Sequence, residues 1–474
     1  MGNKIRFRVE KDSLGEKLVP EAAYYGIQTL RAAENFPVSG IMPKPVFITA
    51  TAMVKKAAAT ANVELGLLER KKGAAIIKAA GEVISGLHHG DFFVDVYQAG
   101  AGTSHNMNAN EVIANRAIEI LGGVKGSYSV VHPNDHVNMG QSTNDTMPTA
   151  LRVACLLSAP ALTTSLKGLQ KALERKSREF GAVIKSGRTH LQDAVPVMLG
   201  SEFGSYASSV KNSIARVATA LDGLKNIGLG GTAAGTGINT HPLYRKKVLK
   251  ALSEVSGIKG LRPAPDNFEA INSVADFTAL SSALKNTALE LTRIANDLRL
   301  LSSGPHTGLS EITLPAVQPG SSIMPGKVNP VIAEMLDMVC FQVAGFDLTV
   351  TLAAQAGQLE LNVMLPVINY NILQSMDILA SSVAIFTDRC VSGIKADRKR
   401  CREYFERSVG LATALNMFIG YEKAAAVAKE AASTGKTLKE LVIEKGLFTE
   451  AELKAVVRAS TGPADLKKIK KTRR

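Results

Sequence analysis

Between residues 268 and 301, Phe277, Leu284, Leu291 and Leu298 recur every seven positions, and Leu280, Ile294 and Leu301 form a second seven-residue row broken only by Thr287. Apolar rows at that spacing are the a and d positions of a helix that packs along its length against others. Ala279, Ala283, Ala288 and Ala295 lie off the seam, so small residues let further helices approach on other faces. A helix of about thirty residues is roughly 45 Å long. That exceeds what a compact globule of this size needs, and it points to a bundle shared between subunits.

Composition agrees with helices. Apolar residues make up 46% of the chain, aromatics only 5%, tryptophan is absent, and alanine and leucine dominate, which favours close-packed helices over a β-sandwich. With 474 residues the chain exceeds the size of one core, so two or three domains are expected. Turn-rich sequence with short helical patterns fills 1–141, long helical patterns fill 142–394, and a charged run after Gly393 opens a small helical segment, 395–474, with helices expected at 421–434 and around 437–445.

Several function classes fall away. Cys155, Cys340, Cys390 and Cys401 lie far apart without metal-ligand spacing, so reduced structural thiols are expected rather than disulfides or zinc. The N-terminus lacks the apolar core of a signal peptide. The most apolar stretch, 331–388, is interrupted by Glu334, Asp337, Asp347, Glu360 and Asp377, so no membrane span is expected and the cytoplasm is the default location. Net charge is +14, with cations clustered at 398–402 and 467–474. Neither cluster is interleaved with aromatics, so both read as solvated surface rather than a nucleic-acid site.

The chemistry concentrates in polar loops. Residues 320–330 read Gly-Ser-Ser-Ile-Met-Pro-Gly-Lys-Val-Asn-Pro between two apolar segments. Gly and Pro supply unusual dihedrals and hinge points, while Ser321, Ser322, Lys327 and Asn329 are suited to gripping a carboxylate beside an oxygen base. The loop is no phosphate cradle, because Ser321 and Val328 stand where a P-loop needs Gly and Ser/Thr. Three further stretches stand out: Gly102-Thr103-Ser104-His105-Asn106-Met107-Asn108, which opens a helix; His132-Pro133-Asn134-Asp135 leading into Gln141-Ser142-Thr143-Asn144-Asp145; and Gly187-Arg188-Thr189-His190-Leu191-Gln192-Asp193-Ala194. Each alone reads as helix caps or a solvated turn. The glycine-rich 228–237 has no strand pattern before it and reads as a turn near the active site rather than a dinucleotide fingerprint.

Taken together, these stretches and the matches at 10–15, 24–31, 106–112, 359–363 and 413–416 resemble the aspartase/fumarase superfamily over nearly the whole chain. Thr143 and the Ala101-Gly-Thr-Ser run are similar to the ammonia-lyase branch more than to class II fumarases. The resemblance implies a mainly α, three-domain fold whose long central helices form a twenty-helix core in a homotetramer, with active sites shared between three subunits. It implies reversible elimination of ammonia from L-aspartate to fumarate through an enediolate, or, as the alternative, hydration of fumarate to malate. It also implies roles: Ser321 as the base, acting as an alkoxide; Thr103, Ser142, Thr143 and Ser322 on the β-carboxylate; Thr189, Lys327 and Asn329 on the α-carboxylate; Asn144 and His190 at the amino group. Partners are the small molecules alone, and no cofactor or tightly held metal is expected. His105, Gly140 and Met198 depart from the pattern, and His105 is read as a bystander. A helical scaffold without activity is the contrasting reading, motivated by the basic charge.

Overall fold

A computed structural model describes residues 6–461; the basic tail 467–474 lies outside the described residues. A hairpin opens the chain, with β1 (Phe7–Asp12) antiparallel to β2 (Gly15–Pro20). After a short helix at Ile27–Asn35 come the longer helices α1 (Pro45–Glu64), α2 (Arg70–Ile84) and α3 (Thr103–Ile120). Then come α4 (Thr143–Glu179), a second hairpin of β3 (Ile184–Thr189) and β4 (Gln192–Met198), and α5 (Leu199–Gly223). The long helices α6 (Ala275–Leu301), α7 (Val331–Gln355) and α8 (Leu365–Arg389) precede α9 (Arg398–Arg407), α10 (Leu411–Ile419), α11 (Tyr421–Thr434), α12 (Leu438–Glu444) and α13 (Glu450–Ser460). The described strands pair only in twos, so the fold is mainly helical, as expected.

The heptad rows of α6 are realised. Phe277, Leu280, Ile294 and Leu298 are fully buried and Thr287, which interrupts the second row, is buried with its hydroxyl returned to the Ala283 carbonyl (2.8 Å). Ala283, Ala288 and Ala295 are buried too, while Ala279 is exposed. The helix is shorter than the pattern: Asn267–Asn272 forms a separate helix capped by Asp266, and extended Ser273 ends it. At 27 residues α6 is about 40 Å long.

The chain divides into two compact units. The first draws on the chain up to Thr164, on Ser213–Leu289 and on Val339–Ala380; the second draws on Ser165–Asn212, Glu290–Met338 and the chain from Ser381 onward. Helices α4, α5, α6, α7 and α8 each begin in one unit and end in the other.

In the first unit α1 is buried on nearly all sides, with Ala50, Val54, Ala57, Ala58 and Ala61 fully enclosed. Small side chains all round let neighbouring helices approach closely, as in a helix that runs through a core. Ile48, Ile76, Val83, Val112, Ile113 and Ile118 join the same apolar cluster. In the second unit Phe405, Leu415, Val427, Leu441, Val442 and Leu453 form a further cluster. Its helices α12 and α13 start at reciprocal capping boxes, Thr437 with Glu440 and Thr449 with Glu452, each satisfying two orphan donors of a first turn.

Among the described helices α4 is long and apolar enough to cross a membrane by length and composition, although the sequence placed the most apolar stretch at 331–388. Half of its apolar window is buried inside the fold.

Candidate active site

In the first unit two helix starts converge. α3 begins at Thr103 after Ala101 and Gly102, both at positive φ (60° and 89°), and α4 begins at Thr143 with a reciprocal cap. Ser142 Oγ accepts from the Asn144 N–H (3.2 Å), and Asp145 Oδ1 accepts from the Ser142 N–H (2.9 Å). One turn into α3, Asn106 Nδ2 donates to Thr143 Oγ1 (3.1 Å). Thr103 sits three residues before Asn106 on the same face, so the structure gathers Thr103, Ser142, Thr143 and Asn144. Of these four, Thr103 lines an open cleft of about 570 Å³, together with Gln28, Arg31, Ser104, His132 and Asn134 among others.

Two buried charges underlie this corner. The Asp145 carboxylate is 1% exposed, and its second oxygen accepts from the Gly230 and Thr232 N–H groups (2.9 Å each). The glycine-rich 228–237 is therefore a turn held against the start of α4, as read from the sequence; Gly230 has a φ of 95°, a region that favours glycine. Burial pushes the Asp145 pKa up to about 6 against the pull of these hydrogen bonds. Lys55, projecting from α1, is fully buried, and its ammonium donates to Asn106 Oδ1 (2.7 Å), Asn138 Oδ1 (2.8 Å) and Gln141 Oε1 (3.0 Å). Burial lowers its pKa to about 7, with Asp145 acting in the opposite direction. Sequence reasoning missed Lys55, because a Lys55-Lys56 pair reads as a solvated face. The signal was its place inside an alanine run.

His105, read from the sequence as a bystander on the helix face, is buried rather than on an open face. Its ring is 1% exposed and stacks on Phe47 at 4.6 Å. The Thr51 hydroxyl already donates to the Phe47 carbonyl (2.9 Å), so the 3.1 Å contact assigns the proton to His105 Nε2. Burial first, and the Lys55 charge second, depress its pKa to about 3. The folded state thus holds it neutral while the unfolded chain protonates near 6.5, so stability is lost as pH falls through that window. His105→Gln is expected to flatten the fall in melting temperature between pH 7 and 4.5 relative to wild type; an unchanged slope would place the acid sensitivity elsewhere. Gly140 has a φ of 70°, and a Cβ there would meet the Tyr244 ring at 3.2 Å, so any larger residue is disfavoured by this backbone. Met198 closes β4 and is half-buried.

In the second unit Thr189 and His190 lie at the tip of the β3–β4 hairpin. Thr189 pairs with Gln192, leaving His190 and Leu191 as a two-residue loop with φ of 55° and 59°. Positive φ at both central positions suits the twist of a tight hairpin but strains residues with a Cβ, and such strain is typical of functional positions. The base of the hairpin is anchored by charge. Lys185 ion-pairs with Glu202 (2.9 Å) and Glu311 (2.7 Å), Arg188 binds Glu311 (2.9 Å), and Glu311 is fully buried. Thr189 and His190 are themselves exposed.

Loop 320–330 folds on itself. Gly320 N–H donates to the Lys327 carbonyl (2.9 Å) and Asn329 Nδ2 to the Gly320 carbonyl (2.6 Å). A Cβ on Gly320 would lie 2.3 Å from the Lys327 oxygen, so only glycine closes this clasp. Within it the N–H groups of Ile323 (3.2 Å) and Met324 (3.0 Å) both donate to Ser321 Oγ. Ser322 and Lys327 are exposed, and Asn329 is half-buried. Two donors aimed at one hydroxyl oxygen favour its deprotonated form.

The class is defined by comparison with known proteins as a lyase: the lyase family model matches residues 15–345, and the fumarase C C-terminus model matches 411–461. The chain belongs to this lyase family, the aspartase/fumarase superfamily. Among curated relatives, aspartate ammonia-lyase from Bacillus sp is 51% identical over 450 residues, covering 95% of this chain and 96% of that one. Among solved structures, fumarate lyase:delta crystallin from Brucella melitensis bound to cobalt matches with a TM-score of 0.92 at 52% identity, covering 95% of this chain and 98% of that one. Class II fumarase from Schistosoma mansoni matches with a TM-score of 0.90 at 39% identity, covering 95% and 98%.

Proposed function

We infer that the chain is a carbon–nitrogen lyase that reversibly eliminates ammonia from L-aspartate to give fumarate. The observation that carries this reading is the pair of N–H groups donated to Ser321 Oγ, in a chain about half identical to aspartate ammonia-lyases along nearly its full length.

The chemical obstacle is the C3 proton, which is weakly acidic because the neighbouring carboxylate is already ionised. Ser321, as an alkoxide held by the Ile323 and Met324 N–H groups, takes that proton and becomes a hydroxyl. The electron pair moves onto the β-carboxylate as an enediolate. It returns to form the carbon–carbon double bond while the C–N bond breaks with its electrons on nitrogen. An ammonium group leaves as neutral ammonia, so no proton has to be delivered to it. Catalysis then rests on donors that hold the enediolate better than the ground state. Thr103, Ser142, Thr143 and Ser322 take the β-carboxylate, and Thr189, Lys327 and Asn329 the α-carboxylate. Asn144 Nδ2 donates to the Ala233 carbonyl (2.8 Å), which leaves its Oδ1 to accept from the substrate ammonium, beside His190. Closure of the 320–330 loop completes the site and excludes water.

The test is ultraviolet absorbance of fumarate from L-aspartate and, separately, L-malate. Fumarate from aspartate alone is expected; fumarate from malate alone would make the chain a class II fumarase.

We further propose a homotetramer with shared active sites. Along α7, Met338, Phe341, Leu348 and Leu352 are 64%, 62%, 60% and 52% exposed at a and d spacing. Second copies of the same chain are the fitting cover for such a stripe. Light scattering is expected to give a particle of about four times the 50.2 kDa chain; a monomer would remove the proposal. The three-part division at 141/142 and 394/395 stays a proposal as well. So does a cytoplasmic location, supported by the free, buried thiols of Cys155, Cys390 and Cys401, which suit a reducing compartment.

A further inference from the structure

Lys55 is a fully buried ammonium that the mechanism above does not use. Among the described residues no carboxylate lies within hydrogen-bond reach of its ammonium; the three partners are neutral amide oxygens. Taking an ammonium out of water for amides alone is unfavourable, so a purely structural account leaves its presence unexplained.

Its geometry has a specific consequence. An ammonium has only donors, so each amide that meets it must present oxygen. At Asn106 this fixes the orientation: Oδ1 lies 2.7 Å from Lys55 Nζ, and Nδ2 is turned toward Asn138 Oδ1 (3.3 Å) and Thr143 Oγ1 (3.1 Å). A hydroxyl that accepts from an N–H keeps its own proton to give. Among the described residues the Thr143 hydroxyl meets no acceptor, and Thr143 is only half-buried at the start of α4. With the Asn106 amide reversed, Thr143 would spend its proton on Oδ1 and meet an incoming carboxylate with lone pairs.

We propose that Lys55 is a positioning residue for the reaction, holding the Asn106 amide in the one orientation that makes the Thr143 hydroxyl a donor to the substrate carboxylate. The relay runs Lys55 to Asn106 to Thr143, and only the last member touches substrate. It rests on the reading of Thr143 as a β-carboxylate ligand. The buried charges facing Lys55 are Asp145, whose carboxylate favours the ammonium, and His105, which is neutral.

The test is a double-mutant cycle on the full-length enzyme, reading kcat and KM for fumarate formation from L-aspartate alongside thermal melts. Asn106→Asp is the key variant. It keeps the shape and gives Lys55 a carboxylate, so the fold is retained, but it removes the N–H that Thr143 accepts. Thr143→Val removes the donor itself and is expected to lower kcat/KM ~10²-fold, the usual effect of losing one donor to a developing oxyanion. Asn106→Asp should fall within about threefold of that loss, and the double variant should be no worse than Thr143→Val alone, since residues acting as one unit are not additive. Lys55→Met should show the same pattern wherever it folds. Losses that multiply, or an Asn106→Asp enzyme with wild-type kcat/KM, would overturn the relay while leaving Thr143 as a ligand. A fully active Thr143→Val enzyme would overturn the ligand assignment, and the relay with it.

Discussion

Replacing Ser321 by alanine is expected to lower the rate of fumarate formation from L-aspartate by ~10²–10⁴-fold, the range for loss of a positioned general base. The hydroxyl oxygen accepts two of the loop's N–H groups, those of Ile323 and Met324. The clasp made by Gly320, Lys327 and Asn329 does not involve the Ser321 side chain. Loop shape should therefore survive the change, and because Ser321 is only half-buried the melting temperature should barely move. KM should change little relative to kcat, since the missing interaction belongs to proton removal. A variant retaining more than a tenth of the wild-type rate would end the assignment of Ser321 as base and shift attention to His190.

The largest effect on stability is expected at Asp145→Ala, by about 3 kcal/mol. Three backbone N–H groups, those of Ser142, Gly230 and Thr232, lose their acceptor together, and each buried unsatisfied donor costs about 1–3 kcal/mol. Release of the carboxylate from its buried setting offsets part of this, as the rise of its pKa from 3.8 to about 6 indicates. That rise also sets the sign with pH. Because the folded pKa is raised, wild-type Asp145 favours folding below pH 3.8, and that contribution is lost as pH rises through 6. The variant should lose this dependence, and Lys55, deprived of its nearest opposing charge, should release its proton more readily still. Activity should also fall, because Thr143 and Asn144 are held beside the turn that Asp145 ties down. Denaturant unfolding measures the loss; a change under about 1 kcal/mol would mean the turn has other support.

Local rules account for the features that were legible in the sequence. The seven-residue rows of α6 needed only periodicity, and their residues are buried as the rows demand. Helices 421–434 and 438–444 needed only amphipathic spacing and caps. The polar loops were visible as composition, and the stretch 141–145 was readable as helix-capping, which is where α4 begins. Three features were out of reach for physical reasons. The break before Ala275 depends on the extended backbone of Ser273, which no proline or glycine marks in the sequence. The β3–β4 tip uses His190 and Leu191 at positive φ without glycine or asparagine, so no turn signal marks it. Lys55 is defined by three amides far along the chain, Asn106, Asn138 and Gln141, and no local pattern joins them.

The exposed stripe on α7 bears on how the folded state is to be measured. If copies of the chain cover Met338, Phe341, Leu348 and Leu352 as proposed, part of the free energy of folding is a free energy of association. Melting temperature then rises with protein concentration by mass action, and dilution alone destabilises an unaltered chain. Stabilities of variants are comparable only at one protein concentration, and a substitution that touches no active-site residue can silence the enzyme by raising the concentration at which it assembles.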